Sequence, residues 1–275
     1  MKKSMLLMLA VLALSMVFCV ACKNSDKLSD EVANETAERI VDSVMDENKN
    51  AIGKLKAIQG LIDTYGKCRK PLEGLRILEI DHEPYASLSE DSIRKTYDFS
   101  KIMVYSQGLI GLDYGYEHID SLTWDEFYIK LTKREEVKET LKGFLQGRYR
   151  DSKGLEETTE ESIAGFKEYI ERKTDYDYLV FVNNIVFTGP AITGSDTFSS
   201  GHIESLVTIL DLRKEIPIMQ FTFHAVNSDQ IFYLDRGDAT PSALVDRMMK
   251  DIEKDQLLQF TLNLARLGIA PIQGK

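Results

Sequence analysis

Between residues 30 and 65 the apolar positions recur every three or four residues: Val32, Ala33, Ala37, Ile40, Val41, Val44 and Met45, then Ile52, Leu55, Ile58, Leu61 and Ile62. That spacing lays one stripe along a 3.6-residue helix. Asn48-Lys49-Asn50 interrupts the stripe, so the segment reads as two helices or one bent helix. A stripe of this kind packs onto its own domain or, less commonly, onto a partner helix. Gly66 to Pro71 is a break, and Arg76 to Ile80 is a short strand candidate ending near Pro84. Residues 85–122 are the least regular part. Ile102 to Tyr105 has strand character there, and Gly108, Gly111 and Gly115 mark turns.

Thr123-Trp124-Asp125-Glu126 has the form of a capping box, in which the Thr hydroxyl and Glu carboxylate satisfy free N–H groups at a helix start. Phe127, Leu131, Val137, Leu141, Phe144 and Leu145 follow, which predicts one helix to about residue 146. Gly147 to Gly154 reads as a loop and as a candidate domain boundary. Thr158 with Glu161 repeats the capping pattern ahead of Ile163, Phe166 and Ile170.

Further on, strand patterns dominate. Residues 178–187 and 203–212 are strands, Arg213-Lys214-Glu215 turns the chain, and 216–226 returns as the second arm of a hairpin. Pro217 is tolerable near a strand start or on an edge. Ile231 to Leu234 is a further short strand candidate. Thr240-Pro241 opens a helix with Thr as N-cap and Pro at the first position, and Leu244, Val245, Met248, Met249, Ile252, Leu257, Leu258 and Leu262 form its buried face. The element order predicts an α+β fold, helices packed on an antiparallel or mixed sheet, with an N-terminal amphipathic helical segment.

The start of the chain changes the picture. Lys2 and Lys3 precede Met5 to Phe18, a run apolar except for Ser15. It is short of the about 20 apolar residues that a membrane span needs, and has the flanks of a signal-peptide core. Cys19-Val20-Ala21-Cys22, with polar Lys23 to Asp26 after it, resembles the lipobox of bacterial lipoproteins; Cys19 stands where that family usually has Leu. The resemblance covers about the first 22 residues. It implies cleavage before Cys22, a diacylglyceryl group on its thiol, and acylation (palmitate or similar) of the new amine. The bilayer, reached through acylated Cys22, is then a partner, and two or three acyl chains make a stable anchor where one does not. The expected divisions are a signal peptide over 1–21, a tether over 22–29, a helical and αβ region over 30–150, and an αβ domain over 151–275, the last two being either separate or one continuous domain. Lys23 is not the Asp that marks inner-membrane retention in enteric lipoproteins, which slightly favours the outer membrane of the cell envelope.

Processing would leave 254 residues, and loss of Lys2 and Lys3 takes the formal charge from −10 to −12. An acidic body argues against nucleic acid as a partner. Of three cysteines only Cys68 would stay unmodified, so no intrachain disulfide is expected.

Catalytic patterns are sparse. His82, His118, His202 and His224 include no pair within one helical turn, so no HExxH-type zinc site is encoded. Neither a P-loop nor a Gly-x-Ser-x-Gly elbow occurs. Ser92-Ile93-Arg94-Lys95 has Ser-x-x-Lys spacing without the companion motifs of penicillin-recognising enzymes, and Ser89 or Ser92 is better read as a helix cap. Asp175 and Asp177 alternate before a strand and read as solvating its entry. No catalytic residue, metal or cofactor is expected. The loop 188–201 is longer than an ordinary hairpin connection, and such loops are often functional. Thr197, Phe198 and Ser199 are its expected contact residues, with Phe198 as its one large apolar group.

Residues 160–265 loosely resemble, in element order alone, the small αβ domains of envelope lipoproteins of the curli-secretion and penicillin-binding-protein-activator groups. That likeness implies a non-catalytic accessory role, by analogy. Three functional classes follow: a non-enzymatic lipoprotein that binds or scaffolds an envelope protein; a glycan or nutrient binder using the tyrosine-rich 97–128 region (Tyr97, Tyr105, Tyr114, Tyr116); and a cryptic hydrolase using Ser92.

Overall fold

The computed structural model describes residues 27–81, 101–106, 117–119, 121–150, 152–194, 197–228 and 240–267. Cys22, His82, Ser92, Lys95, Tyr97, Tyr114, Tyr116, the glycines at 108, 111 and 115, and the 231–234 strand candidate lie outside them. Compaction divides the chain into two units, each made of two stretches: one of residues up to Leu55 with Phe127–Thr174, the other of Lys56–Glu126 with the residues from Asp175 on. The division does not fall at 147–154.

The first unit is helical. It holds α1 (Asp30–Glu47), the start of α2 (Lys49–Tyr65), the end of α3 (Ser121–Thr132), α4 (Arg134–Arg148) and α5 (Gly154–Arg172). Ser29 caps α1 through its hydroxyl, which accepts from Val32 N at 3.3 Å. The stripe predicted from spacing is the buried one: Ala33, Ala37, Val41 and Val44 are fully covered, and α1 packs on α4, whose Val137, Leu141 and Leu145 are equally buried. The break between α1 and α2 is a built joint. Buried Asn48 ends α1, and both its backbone N–H and its Nδ2 donate to Val44 O, at 3.1 and 2.8 Å.

Two helix starts differ from the sequence pattern. Thr123 is not an N-cap, since α3 already begins at Ser121. Nor is there one helix to 146: α3 stops at Thr132, Lys133 is extended (φ −96, ψ 126), and α4 begins afresh. Leu131 and Val137 are six residues apart, about 240° around a continuous helix, so one helix could not bury both on one face. The extended residue re-phases the stripe and both are fully buried. Thr158 likewise sits inside α5. Its hydroxyl donates back to Gly154 O at 2.7 Å, because a buried hydroxyl without a partner is costly. Glu161 pairs with Lys153 (Nζ–Oε1 2.5 Å) instead of completing a capping box.

The second unit is a mixed sheet with helix α6 (Pro241–Arg266) on it. Its strands are β1 (Ile77–Glu79), β2 (Ile102–Ser106), β3 (Glu117–Ile119), β4 (Tyr178–Thr188), β7 (His202–Asp211) and β8 (Ile216–Val226), in the order β1-β8-β7-β4-β2-β3. A separate pair, β5 (Ala191–Ile192) and β6 (Phe198–Ser199), lies between β4 and β7. The β4-β7-β8 meander is antiparallel, whereas β2 runs parallel to β4 and to β3, and β1 parallel to β8. The α+β class is therefore realised with a mixed sheet. Thr240 and Pro241 open α6 as their residue types dictate, the Thr hydroxyl accepting from Ala243 N.

One sheet face carries Ile102, Val104, Val180, Val182, Val207, Ile209, Phe221 and Phe223 into a single core with Leu257, Phe260 and Leu264 of α6. The expected one-sided face of α6 holds only over its first half: Asp255 to Ala265 are buried all round. On the opposite sheet face Phe181 meets Tyr105 edge-on at 5.6 Å and Tyr65 at 6.5 Å. Asn183 Nδ2 donates there to Cys68 O at 3.0 Å, and Leu72 N donates to Gln220 Oε1 at 2.7 Å.

Truncating Phe221 should cost about 3–5 kcal/mol, the ordinary range for a buried aromatic; urea unfolding of Phe221→Ala would show it. A second expectation concerns α1 and α4. The Arg134 guanidinium holds the Glu38 and Asp42 carboxyls below their usual range, and Lys142 does so for Asp30. Carboxyls depressed in the folded state stabilise it above their unfolded pKa, and that contribution fades as pH falls through the folded values. Melting followed by far-UV circular dichroism should show a small loss below the usual carboxylate range. Salt should shrink it, because these groups are solvent-exposed.

Candidate functional site

The hairpin end of the sheet combines rigidity with exposed apolar surface. β4 outruns the core. Its pairing with β7 shifts between Asn184 and Val186, and beyond that bulge Val186 and Phe187 are 43% and 56% exposed. A bulge of this kind bends a strand and re-aims its side chains. The loop 188–201 is not open coil: Ala191 pairs with Ser199 and Ile192 with Phe198. Thr193 N and Gly194 N both donate to Thr197 O, at 3.0 and 3.2 Å, closing the tip.

The root of this small hairpin is fixed by close packing. Pro190 and Gly201 are buried. A Cβ on Gly201 would stand 2.2 Å from Ile252 Cδ1 and 2.9 Å from Pro190 Cδ, so only glycine lets the chain pass α6 there. Buried Asn227 ties three elements together: its Oδ1 accepts from Gly201 N at 2.7 Å, and its Nδ2 donates to Met248 O at 2.5 Å. On either side of it, Asp255 Oδ2 accepts from Val226 N (3.0 Å) and Asp251 Oδ2 from Ser228 N (2.8 Å). These two carboxylates satisfy edge N–H groups that the sheet leaves without a strand partner.

On the sheet face away from α6, His202 and His224 stack with ring centroids 5.8 Å apart and planes 11° off parallel. Glu204 is the register partner of His224. Past the end of β1 a recess of about 210 Å³ opens, lined by Glu79, Asp81, Glu204, Thr222 and His224 among others.

The expected contact residues have other duties. Thr197 closes the tip, and Ser199 Oγ donates to Ala191 O at 3.3 Å. Phe198 is half-buried. It is not the loop's one large apolar group, because Ile192, its cross-strand partner, is the more exposed of the two at 38%. Display of apolar surface therefore belongs to Val186, Phe187 and Ile192. The unbroken Ile185-Val186-Phe187 run, which departs from strict strand alternation, was the signal available for it.

Other candidate residues are accounted for structurally. Asp177 Oδ1 accepts from the Arg213 guanidinium, with Nη2 at 2.6 Å, and Asp175 pairs with Lys101, so the two carboxylates receive cations at the strand entry. Tyr105 is buried in the sheet. Cys68 carries a free thiol that donates to Lys70 O. Among the described residues no group of three or more His, Cys, Asp or Glu is placed to hold a metal ion. None of the described helices is long and apolar enough to cross a membrane.

No family model matches the chain, and neither the curated proteins nor the solved structures provide a match.

Asn227→Ala should leave the buried Gly201 N–H without its acceptor, at a cost of about 1–3 kcal/mol. Hydrogen exchange read by mass spectrometry should show faster exchange over 190–201, with the β4–β7 ladder protected as before. Gly201→Ala should give the same local signature and a larger fall in the urea midpoint.

Proposed function

We propose that this chain is a lipid-anchored lipoprotein of the cell envelope that binds or scaffolds a protein partner and performs no chemistry of its own. The anchoring reading is supported by residues 1–26: a basic start, an apolar run too short to span, and Ala21-Cys22 followed by polar residues. The binding reading is supported by one observation above the rest, exposed apolar side chains at one end of the sheet. Val186, Phe187 and Ile192 stay exposed although the hairpin behind them is pinned by Asn227 and Gly201. Single exposed apolar residues are ordinary, whereas a group of them marks a candidate interaction site, and these three fall within seven residues of one hairpin. Preorganisation also lowers the cost of ordering a contact loop on binding.

Intact-mass analysis of the membrane-extracted protein tests the anchor. It should find a mature N-terminus at Cys22 carrying two or three acyl chains. Cys22→Ala should leave the body soluble or uncleaved. A mature protein with an unmodified Cys22 thiol would contradict the anchoring half of the reading.

A further inference from the structure

The same sheet end also specifies the chemistry of the partner, on the reading that this body is a binding protein. Cross-strand register sets Val186, Glu204 and His224 in one row across β4, β7 and β8. Register partners stand on the same face of a sheet, and this is the face away from α6, since Ile203 and Val207 point toward the helix side. Adjacent strands are about 4.8 Å apart, so the row spans about 10 Å. At its β8 end lies the recess bordered by Glu79, Asp81 and Glu204. Among the described residues, an exposed aliphatic group and a carboxylate-lined hollow are thus contiguous on one strip. Residues 174–212, which include β4, the hairpin and β7, contain no Lys or Arg, so those strands bring no cation to the strip.

We infer that this strip docks a basic, apolar segment of a protein partner. A Lys or Arg side chain of the partner enters the recess beside Glu204. Its aliphatic neighbours cover Val186 and reach toward Ile192 of the hairpin. Apolar burial supplies most of the affinity, and the carboxylates select for a cationic partner and speed its arrival. An acidic partner would meet like charge in the recess, and so would a second copy of this chain presenting the same strip. Among occupants of these chemistries, only the basic one complements the strip in charge.

The test uses the purified mature body and two fluorescent probes of equal length, one peptide alternating Lys and Leu and one alternating Glu and Leu. At physiological salt the Lys–Leu peptide should bind and the Glu–Leu peptide should not. Val186→Ser and Glu204→Gln should each weaken binding by about three- to tenfold, with urea midpoints unchanged. Ile216→Ser, which alters an exposed apolar residue at the far end of β8, should leave affinity as it was. Hydrogen exchange should show peptide protection over 186–204 and 222–226. Equal binding of both peptides would overturn the proposal, as would affinity unmoved by Val186→Ser and Glu204→Gln, or protection confined to another region. Self-association, or adhesion to phosphatidylcholine vesicles, that Val186→Ser abolishes would assign the strip to a different occupant and overturn it too. Such results alongside an acylated Cys22 would reject the docking chemistry and leave the anchored lipoprotein reading standing.

Discussion

Helix α6 holds the end of β8 by polar groups rather than by packing alone, and the candidate surface depends on that grip. Asp255 and Asp251 accept from the backbone N–H groups of Val226 and Ser228, and between them the Asn227 side chain donates to Met248 O. The Asn227 contact is buried and the Asp255 contact partly buried, so loss of either leaves a desolvated group whose cost exceeds the value of an average hydrogen bond. Asn227 extends the grip to Gly201, which passes so close to Ile252 of α6 that a Cβ there would collide with it. The hairpin tip therefore inherits its position from α6, a helix that lies far from it in sequence.

The grip also explains why apolar side chains can remain outside. Within the core, Val180, Val182, Val207 and Phe223 are buried by α6. Past the bulge at Asn184 and Val186, β4 leaves that cover, and its last residues stand in solvent. A flexible strand end would collapse its apolar groups onto the nearest surface. One pinned at its root keeps them displayed. The face opposite α6 is divided in the same way: near the centre of the sheet Phe181 is covered by Tyr65 and Tyr105, while toward the hairpin the strip of Val186, Glu204 and His224 is half-buried or exposed.

Much of the fold was legible from spacing. The strands at 178–188, 202–211 and 216–226, the joint at Asn48 and the Thr240-Pro241 helix start each follow from a local rule, and local rules can be read locally. What failed was set by tertiary demands. A capping box at Thr123 was plausible, yet α3 begins earlier and breaks at Lys133, because two residues six apart both had to be buried. Thr158 looked like a cap and is a buried residue of a helix interior. For the candidate site, the loop's length pointed to a stretch that carries part of the exposed apolar surface; of the residues first singled out, Thr197 and Ser199 are exposed and bonded within the hairpin, and Phe198 is half-buried. The outward residues lie partly before the loop, on a strand whose bulge is signalled only by the unbroken Ile185-Val186-Phe187 run, and Asn227, Asp251 and Asp255 are joined to the site only by the fold.

On the proposed reading, the protein meets its partner at the pinned end of the sheet, and not wherever apolar side chains are exposed. A photo-crosslinking amino acid placed at Val186 or Ile192 in cells tests it most directly, with Ile216 as the control, since Ile216 is as exposed but sits at the opposite end of β8. One discrete protein adduct is expected from Val186 and Ile192, with none from Ile216. Adducts of equal yield from all three positions, or none from Val186 and Ile192, would contradict it.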